Sequence, residues 1–228
     1  MPGPFASWAA IDPKERIITI ELLQNFLQSQ IVKRESLDVP FVVSSQEARI
    51  DEAVEKPAAV LVPLITIDEI TIDSILVTTR TMSVNSHKGQ VSFPGGRIEE
   101  IDKDNVQTAL RETQEEVGLV PGIFKVLGES NIAQTRSRSS SITPIVAVAN
   151  AADIPKDFEE NEEVQSVHII KLEQLLKPDN YSSEIWDFGE TSPTIHIYRV
   201  FDDQDKPVFI WGATAHMITD LLHCLSGV

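Results

Sequence analysis

The chain has 228 residues, 42% of them hydrophobic, and one cysteine, Cys224. It is long enough for one well-buried α/β domain, and a lone cysteine excludes an internal disulfide and a cysteine-built zinc site. The 19 basic and 35 acidic residues give a net charge of −16, which disfavours sequence-independent binding to nucleic acid or to an anionic membrane. No Pro/Gly/Ser linker divides the sequence, so a single domain is expected: residues 1–56 supply an N-terminal helix and an extension without a readable motif, and residues 57–228 the main domain.

In chain order, Glu15 to Gln30 predicts an amphipathic helix with Ile18, Leu22, Leu23, Phe26 and Leu27 on one side. Strands are predicted over residues 58–65, 74–79, 123–128, 142–149 and 164–170, and over 195–201 paired with 207–211. The closing segment, Ala213 to Leu225, has helical apolar spacing at Met217, Leu221 and Leu225. This interleaving implies an α/β fold, a mixed sheet covered by helices on both faces.

The segment 93–119 places a glycine loop, Gly95-Gly96, before a helix predicted over Asn105 to Val117. Val106, Leu110, Thr113 and Val117 make its inward stripe, Asp104 with Gln107 resembles a capping box, and Gly118 suits a left-handed stop. Glu112, Glu115 and Glu116 stand at i, i+3 and i+4 on one face, where like charges repel. They also occupy the closing turns, where the macrodipole disfavours anions. A hard divalent cation with oxygen ligands would reverse both penalties, which makes the cluster a candidate metal site rather than a solvated face. Arg111, four residues before Glu115, is placed to orient or neutralise a member of the cluster.

The segment resembles the Nudix box, Gly-x5-Glu-x7-Arg-Glu-U-x-Glu-Glu-x-Gly-U with U apolar. Its second half, Arg111 to Leu119, matches closely, with Thr113 at an aliphatic position. The first half is one residue longer and carries the run Glu99, Glu100 and Asp102 in place of a single Glu. Upstream, Leu76 to Thr81 and Gly89 to Gly96 resemble the coenzyme A diphosphatase branch of that family, with Val77, Thr81 and Asn85 differing; the last stands where the branch has Arg. The resemblance runs on through residues 142–146, 161–164 and 210–216, and covers roughly residues 57 to 226.

The resemblance implies a Nudix-type α/β/α sandwich with a mixed central sheet. It implies Mg²⁺ or Mn²⁺ held by Glu112 and Glu116 with help from the Gly95 carbonyl, and Glu115 as either a further ligand or the base. Gly96 lets the backbone approach closely, and Arg80, His87 and Gln90 contact the substrate. Arg136 and Arg138, a close basic pair in an acidic stretch, are candidates for a phosphate contact. Glu162 and Glu163 are expected to be solvated, with a minority reading in which one completes the metal site. His216 and His223 are expected to pack rather than bind metal, as no third ligand accompanies them.

The expected activity is metal-dependent hydrolysis of the diphosphate of coenzyme A or acyl-CoA to 3′,5′-ADP and the (acyl-)4′-phosphopantetheine half. Hydrolysis of ADP-ribose or a dinucleotide is the alternative, and a non-catalytic nucleotide sensor a third; the retained repulsive carboxylates count against the sensor. A small nucleotide is thus the expected partner, with neither nucleic acid nor membrane. The first thirteen residues lack Lys and Arg, and the last three are Ser226-Gly227-Val228; no signal peptide, transit peptide or peroxisomal signal is expected. A cytoplasmic location is the default, although relatives in this branch often work in mitochondria or peroxisomes.

Overall fold

A computed structural model describes residues 7–36, 57–81, 89–131, 133–134, 141–187 and 192–226. Helix α1 (Ile20–Ser36) begins five residues later than its periodicity predicts. Pro13 instead opens a 3₁₀ turn over Pro13–Glu15, with the Asp12 side chain accepting the Lys14 N–H. The helix starts only after Thr19, whose hydroxyl accepts the Leu22 N–H at 3.1 Å. The predicted stripe is otherwise kept, with Ile18, Leu23, Phe26 and Leu27 buried in the main core.

The main sheet has eight strands. Strands β1 (Ala58–Thr66) and β2 (Ile72–Arg80) are antiparallel over their adjoining ends. Two short strands, β3 (Val91–Ser92) and β4 (Gly95–Arg97), follow, the first pairing with β2 and the second with β1. Helix α2 (Asn105–Val117) leads to β5 (Lys125–Glu129), β6 (Ala133–Gln134), β7 (Ser141–Asn150) and β8 (Val164–Lys171). The β1–β7 pair is parallel, while β5 and β6 pair with β7, and β8 with β2, antiparallel. A mixed sheet results.

Because β7 occupies one side of β1 and β8 one side of β2, the segment Val91–Arg97 must sit between β1 and β2 where they part. Its bend at Pro94 is fastened by the Leu61 N–H donating to the Pro94 carbonyl at 2.8 Å. The glycine loop is thereby built into the middle of the sheet.

Alternation along β1 and β7 assigns the two faces. Ala59, Leu61, Ile145 and Ala147 face α2 through Ala109, Val106 and Leu110. Val60, Val62, Leu64, Val146 and Val148 face the larger core, shared with α1 and with α4 (Gly212–Leu222). Helices cover both faces, as expected. On the larger core's side there is also a three-stranded sheet that the sequence reading showed only in part: β9 (Tyr181–Ile185) joins the predicted hairpin of β10 (Thr194–Phe201) and β11 (Pro207–Trp211). A one-turn helix, α3 (Leu172–Leu175), links β8 to it. The strand predicted from Ile123 begins at Lys125, since Pro121 initiates a 3₁₀ turn over Pro121–Ile123. The closing helix ends at Leu222, with the 3₁₀ turn His223–Ser226 after it.

Candidate active site

Helix α2 has the predicted bounds. Asp104 caps it, accepting the Gln107 N–H, and Gly118 closes it at φ 73°. The Gln107 side chain reaches one residue further back than a capping box requires, accepting from the Lys103 N–H at 3.2 Å. Thr113 is buried and donates its hydroxyl to the Ala109 carbonyl, 2.7 Å away, which accounts for a hydroxyl at an aliphatic position.

The glycine loop lies against this helix. The Gly95 N–H donates to Glu116 Oε2 at 3.1 Å. Gly95 has φ 154°, and a Cβ on it would run into the Ala59 carbonyl and Val60 Cα. A Cβ on Gly96 would overlap the Glu112 carboxylate. Both positions therefore need glycine, for different reasons: the first because the backbones of β4 and β1 touch, the second because the carboxylate packs on the loop.

Two arginines hold the carboxylates. Arg80, at the end of β2, places Nη1 3.2 Å from Glu116 Oε1 and Nη2 3.6 Å from Glu163 Oε2. Leu76, two residue pairs earlier on the same face, packs with Val117 of α2. Opposite Arg80, the β2–β8 ladder slips by a bulge. Thr79 beside it points to the other face, where its hydroxyl lies 2.8 Å from His168 Nε2; the other ring nitrogen is 2.8 Å from Asp202 Oδ2. Arg111 donates to Asp102 through Nε and Nη2, to Glu112 Oε1 through Nη2 and to Glu115 Oε2 through Nη1, each at 3.0 Å.

Burial sets the electrostatics. Glu116 is 5% exposed, and that burial pushes its carboxyl up to about 7, with the charges of Glu112 and Glu163 adding to the rise and the Gly95 N–H and Arg80 opposing it. Glu112 is raised for the same first reason, against the pull of Arg111. Asp102 is held well below the usual carboxylate range, chiefly by its hydrogen bonds from Arg111, with further donors in the Glu99 N–H and the Thr108 hydroxyl.

Among the described residues no three His, Cys, Asp or Glu side chains enclose a point that could hold a metal ion; Arg80 and Arg111 sit on the oxygens that would do so. The donor set nevertheless fits a hard divalent cation. With all five acids ionised, Asp102, Glu112, Glu115, Glu116 and Glu163 contribute −5 against +2 from the two arginines, a formal local charge of −3.

Most of the residues expected at the site meet here: Arg80, Gly95, Gly96, Arg111, Glu112, Glu115 and Glu116. Gln90 adjoins them, its carbonyl accepting the Arg80 N–H at 3.0 Å. His87, Arg136, Arg138 and Asn85 lie outside the described residues. Two residues were underrated in sequence. Asp102, one of three acids in a run, is the anchor of Arg111, and Glu163 reaches Arg80. Asn161 was not singled out at all, yet it donates to the Glu116 carbonyl at 2.7 Å and accepts from the Glu163 and Val164 N–H groups. Its only signal was its place in the Asn161–Val164 stretch of the family resemblance. His216 and His223 lie apart from this site, their rings tilted against those of His196 and Trp8 respectively.

The NUDIX domain model matches residues 55–189. The chain is 36% identical over 176 residues to the "Uncharacterized Nudix hydrolase NudL" of Yersinia pestis (strain Pestoides F), covering 76% of this chain and 82% of the relative. The protein of the same name from Yersinia pseudotuberculosis serotype O:1b (strain IP 31758) aligns identically. Among solved structures, the C. elegans Ap4A hydrolase binary complex aligns at 21% identity and TM-score 0.41, over 53% of this chain and 83% of its own; at that score the likeness carries no weight. The family model spans the glycine loop, α2 and the Arg80 strand alike, and the chain belongs to the Nudix family of hydrolases, which act on phosphoanhydrides.

Proposed function

We propose that this Nudix hydrolase cleaves the diphosphate of coenzyme A or acyl-CoA, with Mg²⁺ or Mn²⁺, to 3′,5′-ADP and the (acyl-)4′-phosphopantetheine half. The observation that carries the reading is the Arg80–Glu116 ion pair at 3.2 Å. It joins the upstream motif that resembles the coenzyme A branch to the carboxylate helix, so both parts of the resemblance serve one site.

Glu112 and Glu116 would hold the cation, with Glu163 nearby as a further oxygen donor. When bound, the cation neutralises phosphoryl oxygens and lowers the pKa of an attacking water. Glu115 is the proton acceptor in this reading. At 59% exposed, it stands at the rim, able to pass a proton to solvent, whereas Glu116 is enclosed. Arg111 orients Glu112 and Glu115 from its Asp102 anchor. Arg80, His87 and Gln90 contact the diphosphate, and Arg136 with Arg138 the 3′-phosphate.

The test is product analysis over coenzyme A, 3′-dephospho-CoA, ADP-ribose and dinucleotides with added Mg²⁺ or Mn²⁺. A higher kcat/KM for coenzyme A than for its 3′-dephospho form, narrowed in the Arg136→Ala, Arg138→Ala double variant, is expected. Equal rates on the two would reject 3′-phosphate recognition and favour a general nucleotide diphosphatase; binding without turnover would favour a sensor.

A further inference from the structure

We infer that Arg80 is an exchangeable counter-ion of the carboxylate site: its guanidinium competes with the divalent cation for Glu116 and Glu163 and, once displaced, turns to the substrate's phosphate oxygens. The inference rests on the metal-dependent reading above and assigns Arg80 a role towards the cation as well as the substrate.

The contrast between the two arginines carries the argument. The Arg111 guanidinium has an anchor outside the candidate ligands: it donates two hydrogen bonds to Asp102 at 3.0 Å and one to the Arg97 carbonyl at 3.2 Å. Neutralising Glu112 leaves those contacts in place. The Arg80 guanidinium, by contrast, is held among the described residues by carboxylates alone, those of Glu116 and Glu163. A cation taking those oxygens removes what holds the guanidinium where it lies, and adds like charge beside it. Its backbone stays put, because the Arg80 N–H donates to the Gln90 carbonyl and the Arg80 carbonyl accepts from the Gly89 N–H. Only the side chain has to move, and it is 23% exposed, open to solvent on one side.

Charge supports the exchange. Exchanging Arg80 for a divalent ion takes the local total from −3 to −2, so the cation compensates the carboxylates better than the guanidinium it replaces, and Arg80 is available to a polyanionic substrate. The coupling has a defined sign. Arg80 opposes the cation in the substrate-free chain, and the cation frees Arg80 for the substrate, so metal and substrate each raise the affinity for the other.

The experiment is calorimetric titration of Mn²⁺ into the full chain without substrate, with electron paramagnetic resonance to count bound ion. Relative to the parent, Arg80→Met should bind Mn²⁺ tighter, by on the order of tenfold. Arg80→Lys should fall between, since an ammonium replaces a two-pronged fork by a point charge. Equal or weaker binding by Arg80→Met, with an unchanged circular dichroism spectrum and melt, overturns the inference while leaving the metal-dependent reading intact. Should Arg80→Met fail to fold, Arg80→Lys decides by the same comparison. If the parent itself takes up no Mn²⁺ at millimolar concentration, the inference falls together with the reading beneath it.

Discussion

Arg111 and Asp102, nine residues apart, share two parallel hydrogen bonds, Nε to Oδ1 and Nη2 to Oδ2, each 3.0 Å long. The fork leaves Nη1 for Glu115 and brings Nη2 to Glu112, so an acid outside the helix fixes the arginine that fixes the helix's acids.

Asp102→Asn should therefore act at two levels. An amide cannot accept both donors, and the chain should lose about 1.5–3 kcal/mol, the usual cost of a hydrogen bond to a charged group. Hydrolysis should fall as well, because Glu112 and Glu115 lose their common support. Thermal melts beside initial rates check both; an unchanged melt would remove Asp102 from its anchoring role.

Glu116→Gln should reduce turnover by at least on the order of 10² with the fold intact. Burial already works against the charge on this side chain, pushing the carboxyl up to about 7, so losing the charge is tolerable to stability. Rates with saturating Mg²⁺ or Mn²⁺ are the measure, and undiminished hydrolysis rejects Glu116 as a ligand.

The two loop glycines should separate stability from activity. Gly95→Ala forces a Cβ against backbone, the Ala59 carbonyl and Val60 Cα, at φ 154°, and should destabilise by about 1–3 kcal/mol or more. Gly96→Ala meets only the end of the Glu112 side chain, which can turn aside; its melt should change little while hydrolysis drops. Equal melts for the two variants would contradict this division.

His196 offers a pH test. Burial lowers its pKa to about 4, with the charges of His216 and His223 adding to the fall, and its Nδ1 lies 2.8 Å from the Tyr181 hydroxyl. The unfolded chain takes up this proton near pH 6.5 and the folded chain only near 4. Stability from this group is full above pH 6.5 and is lost as pH falls towards 4, by about 3 kcal/mol at most. Denaturant unfolding at several pH values should show a shallower decline over that window for His196→Gln; an identical decline would exclude His196 as its source.

Helix α2 was legible from residues 104 to 118 because everything that makes it a helix is local: a cap three residues from its donor, apolar spacing of three and four, a glycine stop. The carboxylate face was legible for the same reason, since repulsion at i, i+3 and i+4 needs no knowledge of the rest of the chain. What α2 meets is not local. Arg80 and Glu116 are 36 residues apart, and Asn161 reaches the Glu116 carbonyl across 45; the pairing of β2 with β8, and the wedge of Val91–Arg97 between β1 and β2, bring these groups together. Strand β9 escaped notice because Tyr181-Ser182-Ser183-Glu184-Ile185 lacks a clear alternating pattern of its own and takes its conformation from pairing with β10. The chemistry of the site is thus written in neighbouring residues, whereas the partners that hold and neutralise it follow from strand order, which only the packed sheet specifies.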